Sequence, residues 1–112
     1  MQLLTNELRK QLPPLYAQEK RGDDAIAYAR FFTPDAQWVW YATEYDGEDT
    51  LCGLAFGFEI EFGPFSLSEL QAVTGPLGLH VERDLYFKPT TLREIKAQLG
   101  ARQNCRSSFS PR

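Results

Sequence analysis

Residues 38–65 read WVWYATEYDGEDTLCGLAFGFEIEFGPF, and the way this stretch alternates decides the fold. From 38 to 45 two sets interleave, Trp38, Trp40, Ala42 and Glu44 against Val39, Tyr41, Thr43 and Tyr45. Aromatic and β-branched residues in such a pattern favour extended chain. Asp46-Gly47-Glu48-Asp49 supplies a turn, with Gly47 free to take a positive φ. From Leu54 every second residue is large and apolar: Leu54, Phe56, Phe58, Ile60, Phe62. The period of two demands that this face point into a core. If the four turn residues close a hairpin, Tyr45 faces Thr50 and paired residue numbers sum to 95. Tyr41 then meets Leu54 and Val39 meets Phe56, while on the other face Trp40 covers Ala55 and Trp38 covers Gly57.

The chain has 112 residues, enough for one core. With 43% hydrophobic and 13% aromatic residues it has the composition of a folded globular chain. No run of apolar residues is long enough for a transmembrane helix, and MQLLTNELRK shows neither a basic leader nor an apolar h-region, so no secretory signal is expected. Cys52 and Cys105 lie far apart, and reduced thiols in the cytoplasm fit them better than a disulfide. One histidine and no CxxC or HxxxH spacing leave no zinc motif, and no cofactor is expected.

The net charge of −3 hides a pattern. Between Arg30 and Arg83 there is no Lys or Arg, while nine acids fall in that span: Asp35, Glu44, Asp46, Glu48, Asp49, Glu59, Glu61, Glu69 and Glu82. Such a span projects a negative potential, which disfavours phosphate contacts and favours basic partners.

Outside the hairpin, Leu4, Leu8, Leu12 and Leu15 form a helical stripe, with Thr5 as cap and Pro13-Pro14 as stop. QEKRGDD (18–24) reads as an exposed loop and residues 25–32 as a strand, which Thr33-Pro34-Asp35-Ala36 turns back. Residues 25–62 thus form a three-stranded meander. Ser66 with Glu69, and Thr91 with Glu94, are capping boxes for a short helix ending near Val73 and for a last helix with Leu92, Ile95 and Leu99 as its buried stripe. VERDLYF (81–87) reads as a further strand, and Gly100 as the C-cap of the last helix. The expected fold class is α+β: an antiparallel sheet of three or four strands with N- and C-terminal helices and one short helix packed on it. The expected domain is 1–100, followed by a disordered basic tail at 101–112.

The segments LLTNELRKQLPPLY, AYARFFTPDAQWVWYATEYDGEDT, FSLSEL, GPLGL and VERDLYFKPTTLREI together resemble the uncharacterised bacterial family called domain of unknown function 2958, over about residues 3–96. The resemblance implies a gene carried on plasmids and integrative elements beside anti-restriction and conjugation genes. It brings no activity and no catalytic residues.

Candidate site residues come from the hairpin. Glu44, Glu59 and Glu61 share a face under the register above, where they could bind a divalent ion or divide acid and base roles. Strand alternation alone also produces acids two residues apart. Trp38 and Trp40 on that face could anchor a protein partner or stack on bases, but base stacking lacks nearby cations. His80 has no nucleophile or orienting acid near it in sequence, and Cys52 reads as a small hydrophobe. The leading expectation is a non-enzymatic protein-binding module of mobile-element origin. Its partner-binding face comprises Trp38, Trp40, Glu44, Asp46, Glu48, Asp49, Glu59 and Glu61. The partner is a basic protein surface in a host nucleic-acid-handling defence complex, of the CRISPR or restriction kind, inhibited by occlusion. A small metal-dependent hydrolase using Glu44, Glu59 and Glu61 is the alternative, and DNA binding through Arg9, Lys10, Lys20, Arg21 and the tail is a third. Neither a membrane nor direct contact with nucleic acid is favoured.

Overall fold

A hairpin of β3 (Val39–Tyr45) and β4 (Thr50–Phe56) forms the middle of the sheet, as its alternation requires. The computed structural model describes residues 3–57 and 59–107. Pairs summing to 95 hold from Val39↔Phe56 through Ala42↔Gly53. The register then slips, so that Glu44 faces Cys52 and Tyr45 faces Leu51 rather than Thr50. This is a β-bulge at Thr43, whose hydroxyl donates to the Cys52 carbonyl at 3.0 Å.

Residues 54–62 are not one strand. β4 ends at Phe56, the chain turns, and β5 (Ile60–Ser66) returns antiparallel with Phe56↔Ile60, Ala55↔Glu61 and Leu54↔Phe62. Because these pair numbers sum to an even value, Leu54, Phe56, Ile60 and Phe62 stay on one face, and alternation alone does not reveal the break. Phe58 lies outside the described residues.

On the other side of β3 lies β2 (Ala29–Phe32), and beyond it β6 (Glu82–Arg83). The result is a five-stranded antiparallel sheet in the order β5-β4-β3-β2-β6, larger than expected. Residues 25–32 are broken at Tyr28, where β1 (Ile26–Ala27) leaves to pair with β7 (Thr90–Thr91). The strand expected at 81–87 is cut to β6 because the Asp84 carboxylate accepts the Tyr86 amide at 2.9 Å and turns the chain.

The helices cover both faces. α1 (Asn6–Gln11) starts where Thr5 Oγ1 accepts the Leu8 amide at 3.2 Å and stops before Pro13. α2 (Leu67–Ala72) is capped by Ser66. Leu3, Leu4 and Leu12 join Leu67 and Leu70 over Phe31, Ala42, Tyr45 and Leu51. On the opposite face α3 (Leu92–Ser107) lays Leu92, Ile95 and Leu99 over Val39, Tyr41 and Leu54. The helix does not end at Gly100 but runs to Ser107, through most of the segment expected as a tail; residues 108–112 lie outside the described residues.

Candidate functional site

The bulge and the turn distribute the candidate residues over three places. The first is the end of the sheet where β3 begins. Trp38 and Trp40 stack with ring centroids 6.0 Å apart. The Trp38 indole lies across Gly57, as the register foresees: a Cβ there would sit 2.3 Å from the ring. Trp40 is half-buried against the α1 side of the core, whereas Trp38 is 39% exposed. Glu59 and Glu61, both exposed, frame a shallow pocket of about 190 Å³ with Trp38 and Ala55. A second groove of about 360 Å³ runs from the two indoles to Val73, Thr74, Gly75 and Pro76. Asp35 holds the far bank of that groove, its Oδ2 accepting the Leu77 amide at 2.7 Å.

The second place is the β3–β4 turn at the other end of the hairpin. Asp46 Oδ1 accepts the amides of Glu48, Asp49 and Thr50 at 2.8, 3.0 and 3.1 Å. The Glu48 amide above all, with those of Thr50 and Asp49, holds its carboxyl below the usual 3.8. Asp49 accepts from the hydroxyls of Ser66 and Ser68, which lower its pKa, and from the Ser68 amide at 2.9 Å. These two acids are committed to turn and helix geometry; Asp46 and Glu48 are exposed and Asp49 is half-buried.

The third place is occupied by Glu44 alone. Expected on the tryptophan face with Glu59 and Glu61, it is turned by the bulge to the α3 face, where it is 4% exposed. There it lines a cavity of about 350 Å³ with Tyr16, Gln18, Cys52, Phe62, Leu92 and Lys96, among others. Glu44, Glu59 and Glu61 therefore do not converge, and among the described residues no group of three or more His, Cys, Asp or Glu is placed to hold a metal ion.

Sequence reasoning missed Gln18, assigned to an exposed loop. That segment is a tight 3-10 turn over Glu19–Asp24, broken at Gly22, and Gln18 itself is buried. Its backbone amide donates to Glu44 Oε2 at 2.7 Å. Its carboxamide donates to the carbonyls of Thr43 (2.8 Å) and Ile26 (3.0 Å) and accepts the Ile26 amide at 2.7 Å. Where β1 diverges from β3, this side chain acts as a peptide group and satisfies the backbone that the sheet leaves open.

Cys52 is a free, half-buried thiol; burial and then the neighbouring Glu44 carboxylate push its pKa up. A thiol held protonated in this way is a poor nucleophile. His80 is exposed. The ion pairs Arg30–Asp84, Arg93–Asp24 and Lys96–Asp23 use acids outside the span from Phe31 to Glu82. No helix among the described residues is long and apolar enough to cross a membrane.

These features define an α+β domain whose central hairpin carries two indoles and its acids at separate ends. The chain belongs to the family described as Protein of unknown function (DUF2958), whose profile matches residues 3–104. No curated protein and no solved structure matches it.

Proposed function

We propose that this chain is a non-enzymatic protein-binding module that docks through the end of the sheet formed by Trp38, Trp40, Glu59 and Glu61, onto a partner with a basic surface. The observation that carries the reading is the juxtaposition of a partly exposed, stacked indole with two exposed carboxylates around one pocket. An arginine or lysine side chain there would meet a ring face and a counter-charge together, the two attractions that make aromatic–cation contacts strong at interfaces. The groove toward Pro76 would take the apolar residues beside that cation. In the setting that the family resemblance implies, the partner is a host defence assembly that handles nucleic acid. Its phosphate-binding surface would be occluded by the acidic end.

Affinity capture from bacterial lysate with the wild-type chain and with the triple variant W38A/E59Q/E61Q tests this. Wild type should retain a basic nucleic-acid-handling protein, which the triple variant loses. Raising salt toward 1 M, where the Debye length falls to about 3 Å, should release it. Capture of no such protein, or retention that salt does not touch, overturns the reading.

A further inference from the structure

The cavity on the α3 face carries a chemistry that the docking end does not use. Glu44 is only 4% exposed, and its one hydrogen bond among the described residues is from the Gln18 amide to Oε2 at 2.7 Å. A carboxylate so far out of water needs an opposite charge or a full set of hydrogen bonds. Lys96 borders the same cavity, but its Nζ is held 2.7 Å from Asp23 Oδ1, and no ion pair among the described residues reaches Glu44. The other walls include Tyr16, Ala25, Phe62 and Leu92, and Phe62 stands 56% exposed. At about 350 Å³ the space falls at the small end of ligand sites.

We propose that this cavity binds a protonated amine or guanidinium on a short apolar stem, the cation against Glu44 and the stem between Phe62, Leu92 and Tyr16. The ligand is a free amine or the basic side chain of a peptide; the chemistry is the same. The site lies on the opposite face from Trp38, so its failure would leave the docking proposal standing.

The test is NMR titration of the ¹⁵N-labelled full chain with pentylammonium, with pentanol as its neutral match, and with a capped tripeptide bearing a central lysine. The Gln18 amide is the reporter, since it donates to the carboxylate in question. Pentylammonium or the peptide should shift the Gln18 and Thr43 resonances, pentanol should not, and E44Q should weaken binding about tenfold to hundredfold. Because E44Q alters a buried group, F62S provides a second variant: it trims an exposed wall, leaves Glu44 intact, and should weaken binding several-fold. Binding of pentylammonium alone supports the site as one for free amines, and binding of the peptide supports it as one for a side chain. Equal shifts with pentanol, affinity unchanged in both variants, or no shift at Gln18 with any probe overturns the proposal.

Discussion

A Cβ on Gly53 would lie 1.8 Å from the Tyr41 carbonyl oxygen, whereas the three atoms nearest one on Gly57 all belong to the Trp38 ring. The difference decides what each substitution does, because backbone in the middle of a sheet cannot move aside and an indole at its end can swing. Gly53→Ala should therefore lower stability by about 3 kcal/mol, read as a fall in the urea midpoint. Gly57→Ala should cost under about 1 kcal/mol yet turn the indole outward, red-shifting tryptophan fluorescence and reducing partner capture. Gln18 belongs at this scale too. Gln18→Leu keeps the volume but strands the Thr43 carbonyl and both polar groups of Ile26, and should cost about 2–4 kcal/mol by the same urea measurement. A glutamine among charged neighbours gives no sign in sequence of being buried, since its burial depends on where β1 leaves the sheet. Gly53, by contrast, did carry a signal: a glycine inside a strand pattern marks a bulge, and this one pairs with Ala42 at the last position before the slip.

At the scale of elements, local chemistry was legible and long-range parity was not. Helix starts are written in adjacent residues, so Thr5, Ser66 and Thr91 each accept the amide three positions on, as their spacing predicts. The turn pairs Tyr45 with Leu51, one residue off the expected partner Thr50, and the bulge at Thr43 offsets that slip, so the four pairs from Val39↔Phe56 to Ala42↔Gly53 fall on the expected register. The split of residues 54–62 into β4 and β5 was hidden because a tight turn with even pair sums leaves the apolar positions on one face. The β3–β4 turn also fixes a pH response. Asp46 and Asp49 have folded-state values below 3.8, so they stabilise the fold above that pH, and the contribution is lost as pH falls below 3.8 and through the lowered values. Asp49 ties this turn to the start of α2, its backbone carbonyl accepting the Leu67 amide at 2.8 Å and its carboxylate the Ser68 amide. Asp49→Asn should consequently lower the urea midpoint at neutral pH, with the gap to wild type closing in acid. A gap that stays constant across the titration would mean that the carboxylate's charge is irrelevant there.

For the whole molecule the question is whether its acids act as one face. Their clustering in sequence was plain, since no Lys or Arg falls between Arg30 and Arg83, but their placement depended on one bulge and one turn. Glu44 went inside, Asp46, Glu48 and Asp49 went to one end of the hairpin, and Glu59 and Glu61 to the other. The seven residues of β3 separate those ends by about 23 Å at the usual rise per residue. That is more than twice the Debye length of about 8 Å at physiological salt, so the two groups of exposed carboxylates are electrostatically independent under those conditions. A basic partner seated at Trp38 would feel Glu59 and Glu61 and almost nothing of the turn. E59Q/E61Q should accordingly weaken capture and flatten its salt dependence, whereas D46N/E48Q/D49N should leave both unchanged at physiological salt while lowering thermal stability through the lost turn contacts. At about 0.01 M salt the Debye length exceeds the separation, and the turn variant should then begin to weaken binding as well. The reverse ranking, with the turn variant abolishing capture at physiological salt and E59Q/E61Q sparing it, would move the docking surface to the far end of the hairpin and leave the indoles as packing alone.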